Sequence, residues 1–320
     1  MHSVNLAHAY ASNLYRTKYQ SSQGGKIGIT LSVGWSEPAT DSEADKQASD
    51  IALQFDFSAW ADPIWFGDYP AVMRENCGDL LPRFSEDEKR LLKGSSDFQG
   101  VNFYTASYVS AAKRGKPGSG WYVDRNASNS AVAPNGTVIG QQADSPWLYI
   151  VPWGLHKMLN WIGRRYGSDV QLVVTENGMD VVDENKKPLK DALHDTDRIA
   201  YLSSYIAAMG DSISDGTNVI GYFLWSLMDN YEVKRPPAFV HFCPPLHPHI
   251  SSLIAITSLT PHLTQLYQRT VEYSHSAHCL VPRHLHSLSC LCVISPRRLF
   301  SGPTATASGS ASTMWTTTTT

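Results

Sequence analysis

The chain has 320 residues, 42% of them hydrophobic, and a formal net charge of -3, the make-up of an ordinary globular chain long enough for one large domain or two small ones. So small a charge leaves no basic footprint for nucleic acid, and no apolar run is long enough to span a bilayer. Only Cys77 of the five cysteines lies before residue 240, which argues against a disulfide framework in the main body.

The opening MHSVNLAHAY lacks a basic segment followed by an apolar one and does not read as a secretion signal; it leaves the compartment open. Leu6, Tyr10 and Leu14 recur every four positions, which predicts that the chain opens inside an amphipathic helix and that something is missing before it. KIGITLS (26–32) reads as a strand, the segment around Ile51, Ala52 and Phe55 as a helix, and GVNFYTASYV (100–109) as a second strand. Residues 110–146 form a long Gly, Pro, Asn and Ser-bearing loop, of the kind that is either functional or disordered. It holds two sequons, at Asn126 and Asn135. Leu155, Met158, Leu159, Ile162 and Tyr166 mark a helix ended by Gly167, QLVVT (171–175) a buried strand, and Ile199, Leu202, Ile206 and Met209 a helix begun near Asp195 and closed by Gly210. NVIGYFLWS (218–226) is the last strand. About four strand–helix units with continuous apolar strands predict parallel pairing in an α/β fold.

The character changes near residue 233, where a tail begins that carries eight of the twelve histidines and ends in a Ser/Thr-rich low-complexity run. The division expected is therefore 1–232 as the body and 233–320 as an irregular, disordered or aberrant tail. His284-x-His286 and Cys290-x-Cys292 supply metal-ligand types, but their spacing fits no common zinc pattern, so no metal and no cofactor is expected.

Asn102 and Tyr104 close one predicted strand, Glu176 another and Trp225 a third. If the strands are parallel, these side chains meet at one mouth. A carboxylate beside a phenol and an amide, under an indole, suits a sugar: indole faces stack on pyranose rings, and the polar groups bond hydroxyls. The plainer readings are a capping carboxylate for Glu176, core packing for Trp147 and Trp225, and a turn for Asn102.

Three stretches carry a family resemblance. VTENG (174–178) resembles the nucleophile motif of the family 1 glycoside hydrolases, the β-glucosidase family. DFQGVNFYT (97–105) and GYFLWSLMDNYE (221–232) resemble two further motifs of that family, in the same order. KIGITLSVGWSEP, FGDYP (66–70) and DTDRIAYL (195–202) also look like family stretches, closest to the plant enzymes. The resemblance implies a (β/α)8 TIM barrel, here incomplete, with about strands five to eight and their helices. It implies Glu176 as nucleophile and Tyr104 as the phenol that holds it. It also implies Asn102 ordering the site, Trp225 stacking on the sugar, Glu232 on its outer hydroxyls and Trp147 as the aglycone platform. The implied partner is a β-glucoside or related small glycoside; nothing names a protein partner.

The sequence departs from the family in three respects: the first strands, which supply Gln and His contacts to the sugar, are absent, Val233-Lys234-Arg235 breaks the run expected after Glu232, and the acid/base segment is missing. Retaining glycosidases use two carboxyl groups about 5–5.5 Å apart, and the family's acid/base T-x-N-E-P motif is absent here. Ser36-Glu37-Pro38 follows the wrong strand to replace it. Three readings follow: a retaining β-glycosidase impaired by that loss, a sugar-binding remnant, or a truncated product without function.

Overall fold

The computed structural model describes residues 1–113, 115–228 and 290–294. They belong to a unit formed by Met1–Trp225 and Ser289–Thr320, apart from Ser226–Met228, which open a second unit, Ser226–Leu288. The described residues contain eight strands: β1 Lys26–Pro38, β2 Gln99–Ala111, β3 Ala127–Ser130, β4 Gln141–Gln142, β5 Tyr149–Ile150, β6 Leu172–Glu176, β7 Val219–Tyr222 and β8 Cys290–Ile294. The longer helices are α1 His2–Lys18, α2 Glu43–Leu53, α3 Ala59–Trp65, α4 Glu86–Leu92, α5 Pro152–Tyr166 and α6 Thr196–Ser214.

The main sheet runs β7-β6-β2-β1-β8. β1, β2, β6 and β7 are mutually parallel and neighbour one another in chain order, as successive strand–helix–strand crossovers require. β8 lies antiparallel on β1, with Cys290 opposite Thr30 and Cys292 opposite Gly28; the rest of the tail, with His284 and His286, lies outside the described residues, as does Glu232.

Helix boundaries follow from their caps. Ser42 Oγ accepts the Asp45 N–H at the start of α2, Ser85 and Glu88 form a reciprocal capping box on α4, and the Asp195 side chain accepts the Arg198 N–H of α6; each satisfies donors that a helix start leaves unpaired. Pro152 opens α5, where no N–H is needed. Gly167, at a φ of 104°, ends it in a conformation other residues avoid.

Ile29, Leu31 and Val33 of β1, Val101 and Phe103 of β2, and Leu172 and Val174 of β6 are buried in one cluster with Leu155, Met158, Leu159 and Ile162 of α5. Alternation along a strand puts these on one face, the helix side, and leaves Thr30, Asn102 and Tyr104 on the other. The strands sit close: a Cβ on Gly100 would lie 2.4 Å from Thr30 Oγ1.

The helix faces differ from the periodic reading. α1 buries Asn5, His8, Ala9, Ser12 and Tyr15 rather than the Leu6, Tyr10 and Leu14 row. α6 buries Tyr201, Tyr205, Ala208 and Ser212 and runs through Gly210 to Ser214, while Ile199 and Ile206 face solvent. In both cases polar side chains with internal partners share the buried face, although His8 and the Tyr15 hydroxyl on α1 are buried without one. Ser12 Oγ donates to the Ser95 carbonyl at 2.5 Å, and the Tyr205 hydroxyl accepts the Val151 N–H at 2.8 Å. Bonded polar groups bury cheaply, and a hydrophobicity count cannot see the bond. The 110–146 segment is also more ordered than its composition predicts: β3 pairs with β2, and β4 with β5.

Candidate active site

The site forms where β2 and β6 run side by side. Gln99, Gly100 and Val101 pair with Leu172, Val173 and Val174; then the register slips and Asn102 pairs with Glu176. Thr175 is the extra residue of a β-bulge. Without it, Glu176 would keep step with Leu172 and Val174 and enter the helix layer; the bulge turns it to the face of Asn102 and Tyr104. The Thr175 hydroxyl donates to Asn102 Oδ1 at 2.6 Å, and Asn102 is 4% exposed. Tyr104, two residues on, donates its hydroxyl to Glu176 Oε2 at 2.8 Å.

Behind the carboxylate stands Asn177, which has no exposed surface. Its amide donates to the Phe103 carbonyl and to the Tyr201 hydroxyl, both at 2.8 Å, and its Oδ1 accepts from the Tyr222 hydroxyl at 2.9 Å. One side chain thus ties β2, α6 and β7 to the turn after β6. Burial raises the pKa values of Tyr201, Tyr205 and Tyr222, the last two to about 12, so all three remain protonated donors at neutral pH. The Trp225 N–H donates to the Asn177 carbonyl at 2.9 Å. Gly178 permits this approach: a Cβ there would stand 1.7 Å from the Trp225 carbonyl oxygen. Thr-Glu-Asn-Gly therefore reads as bulge, carboxylate, anchor and clearance.

Two indoles stand exposed near these groups. The Trp147 ring meets the Tyr104 ring edge-on at 6.0 Å and is 48% exposed; Trp225 is 43% exposed. The Trp147 loop is fastened to the turn after β6, because Asp180 accepts from the Ser145 N–H at 3.1 Å and from its hydroxyl. Two placements differ from the strand-end expectation. Asn102 and Tyr104 lie inside β2, which continues to Ala111, and Trp225 lies three residues past the end of β7. β2 continues through a register shift against both β1 and β6, and Tyr222, the last residue of β7, is the one that bonds Asn177.

Glu37 is occupied elsewhere. Both its oxygens accept from Lys157 Nζ at 2.8 Å, and Trp35 Nε1 donates to it at 2.6 Å. Ser32 of β1, not Glu37, is level with Asn102, and five residues of strand place Glu37 about 16 Å farther along the sheet. Asn177, Tyr201, Tyr222, Thr175 and Asp180 were missed as site residues. Asn177 is legible as part of VTENG; Tyr201 and Tyr222 lie within DTDRIAYL and GYFLWSLMDNYE, but nothing in those stretches shows that their hydroxyls meet Asn177, Tyr201 from the face of α6 that periodicity does not favour and Tyr222 from the end of β7. Among the described residues no group of three or more His, Cys, Asp and Glu side chains is placed to hold a metal ion. None of the described helices is long and apolar enough to cross a membrane.

Residues 1–236 match the model of glycosyl hydrolase family 1. The chain belongs to that family. Of its family 1 relatives, β-glucosidase 42 of Arabidopsis thaliana is 42% identical over 232 residues, covering 72% of this chain and 47% of the relative. The oleuropein β-glucosidase of Olea europaea is 43% identical over 231 residues, covering 72% of this chain and 42% of the relative. A rice β-glucosidase crystal structure superposes with a TM-score of 0.69 at 42% identity, over 72% of this chain and 49% of that one. β-Glucosidase 2 of the fungus Trichoderma reesei, in complex with Tris, superposes with a TM-score of 0.67 at 40% identity, over 72% of this chain and 50% of that one. These neighbours are family 1 TIM-barrel enzymes, and this chain spans about half their length.

Proposed function

We propose that this chain carries the nucleophile part of a retaining β-glycosidase of the β-glucosidase kind, acting on a β-glucoside or related small glycoside. The observation that supports it is the Tyr104–Glu176 hydrogen bond of 2.8 Å, formed on the sheet face opposite the helices. The phenol proton holds Oε2, and Oε1 is the oxygen presented to the anomeric carbon. As the Glu176–carbon bond forms, the bond to the aglycone oxygen breaks through an oxocarbenium-like transition state. That oxygen takes the electron pair and needs a proton. In the second half, water adds to the same carbon, its proton leaves to a base, and Glu176 departs as carboxylate. Trp225 would stack on the sugar, Trp147 would seat the aglycone, Asn102 would order the site and Glu232 would hold the outer hydroxyls. Neither step calls for a metal or organic cofactor.

The proton carrier is the weak point. Glu37, bound to Lys157 and far along the sheet, cannot stand about 5–5.5 Å from Glu176. We read the barrel as incomplete, with its acid/base strand outside this chain. Lost general-acid catalysis costs typically ~10²–10⁴ in rate, so the chain alone should turn over ordinary aryl β-glucosides feebly at best. A second reading, sugar binding without cleavage, is supported by the two exposed indoles. One experiment separates them. A 2,4-dinitrophenyl 2-deoxy-2-fluoro-β-glucoside carries a leaving group that needs no protonation. The glycosidase reading predicts a covalent adduct on the peptide containing Glu176, lost in Glu176→Gln. Saturable gluconolactone binding without that adduct would favour the binding reading; neither adduct nor binding would sink both.

A further inference from the structure

The sequons at Asn126 and Asn135 are alike as sequence and unlike as structure. Pro134, Asn135 and Gly136 form the tip of a hairpin closed by the antiparallel bridge between Val132 and Val138. The Ala133 N–H donates to the Thr137 carbonyl and the Gly136 N–H to the Ala133 carbonyl, both at 2.9 Å. Proline after the first turn residue and Gly136 at a φ of 87° are what such a three-residue loop requires. Asn135 Oδ1 accepts the Thr137 N–H at 3.0 Å, an Asx turn that holds the asparagine and the hydroxyl residue of the sequon on one loop. Asn135, Gly136 and Thr137 are all exposed, and among the described residues Asn135 Nδ2 has no hydrogen-bond partner. Ala131 and Ile139 pack with Ala106 and Val151, so the base of the hairpin is seated while its tip stands in water.

Asn126 is held within the fold. Its N–H donates to the Val123 carbonyl at 3.1 Å, and its carbonyl accepts the Ala112 N–H at 3.0 Å. Its φ of 54° is left-handed without the freedom of glycine. Arg125 and Ala127 on either side are buried, and Arg125 is ion-paired to Asp56 at 2.6 Å. Ser128, the hydroxyl residue of this sequon, lies in β3 opposite Ser110 of β2. Asn126 Oδ1 is buried without a partner, so the carboxamide lies against the protein. An oligosaccharide there would press on the Arg125 ion pair and the β2–β3 pairing; on Asn135 it would displace nothing.

We propose that Asn135, and not Asn126, is a site of N-linked glycosylation, accepting an oligosaccharide from a polyprenyl pyrophosphate donor of the secretory route. In the transfer Asn135 Nδ2 forms a bond to C1 of the first sugar. The bond from C1 to the pyrophosphate oxygen breaks, the pyrophosphate leaves with that electron pair, and Nδ2 gives up one proton to a base of the transferase. The Asx turn uses only Oδ1, so it survives in the product. The glycan sets a bulky, solubilising group beside Val132 and Val138, which are 44% and 52% exposed.

The test is expression of the full 320-residue chain in yeast behind a cleavable leader, with the soluble chain read whether it is secreted or retained. Removal of the leader shows that the chain has reached the transferase. The expected result is the loss of one glycan's mass on treatment with peptide N-glycosidase, with heavy oxygen from the water incorporated only into the peptide that contains Asn135. Asn135→Gln and Thr137→Ala should each abolish the glycan, and Asn126→Gln should keep it. Glu176→Gln should carry the same glycan, which separates this inference from the catalytic reading. An unchanged mass in the leader-processed chain, or a glycan on Asn126 in the soluble chain, would overturn it.

Discussion

Tyr104 and Glu176, 72 positions apart, meet through a 2.8 Å hydrogen bond that depends on one surplus residue in β6. The pairing Val101–Val174 is followed by Asn102–Glu176, so Thr175 has no partner of its own across the ladder. A carboxylate that strand alternation would bury among apolar side chains is turned out beside a phenol.

Replacing Tyr104 with Phe removes a hydrogen bond to a charged acceptor. Such bonds contribute about 1.5–3 kcal/mol, and the adduct with the fluoroglucoside should form roughly 10- to 100-fold more slowly. Mass spectrometry over time measures this. An unchanged rate would show that the phenol does not orient the carboxylate for attack.

Gly178→Ala should unseat Trp225. The added methyl would stand 1.7 Å from the Trp225 carbonyl oxygen, which forces a backbone shift. Overpacking of this kind costs about 1–3 kcal/mol, a fall of roughly 2–10 °C in melting temperature for a body of this size. A thermal melt followed by tryptophan fluorescence checks both the stability and the movement of the indole.

Acid should loosen α1 through His8. This histidine is 5% exposed, and burial pushes its pKa down to about 4 against the opposing influence of the Ser95 backbone. Arg16 lowers it further and Asp97 opposes. Between pH 6.5 and pH 4 the unfolded chain takes up a proton that the folded chain refuses. The stability is therefore complete above pH 6.5 and declines as the pH falls toward 4, by roughly 3 kcal/mol in all. Urea midpoints at pH 7.5, 6 and 4.5 should drop less in His8→Leu than in the unaltered chain; parallel slopes would refute the assignment.

Asp180→Ala should free the Trp147 loop. The Asp180 carboxylate accepts both the N–H and the hydroxyl of Ser145, and it fastens that loop to the turn after β6 together with the longer bond from the Asp183 N–H to Asp144 Oδ1 at 3.4 Å. Exchange of the Ser145 amide should quicken at least tenfold, with the amides of β2 and β6 unaffected. If they quicken as well, Asp180 supports the whole sheet end and not only the loop.

Much of this was legible along the chain. The four parallel strands appear near the predicted stretches because their apolar runs are continuous. α5 begins at Pro152 and ends at Gly167 because those residues admit little else. The resemblance of VTENG, DFQGVNFYT and GYFLWSLMDNYE already pointed to the family to which residues 1–236 belong. The motifs could be matched letter by letter without knowing where their side chains point.

What only the tertiary structure decided is direction. Whether Glu176 faces the helices or the open side turns on a single bulge, whose origin is pairing between strands and not any property of QLVVTENG. Which side of α6 is buried is not decided by hydrophobicity alone: Tyr201 and Tyr205 find bonded positions inside and Leu202 and Met209 pack against the core, while Ile199, Ile206 and Ile213 are left outside. Composition and spacing fix what a segment prefers on average. The partner across the ladder, which burial and hydrogen bonding select together, settles which residue comes to face which.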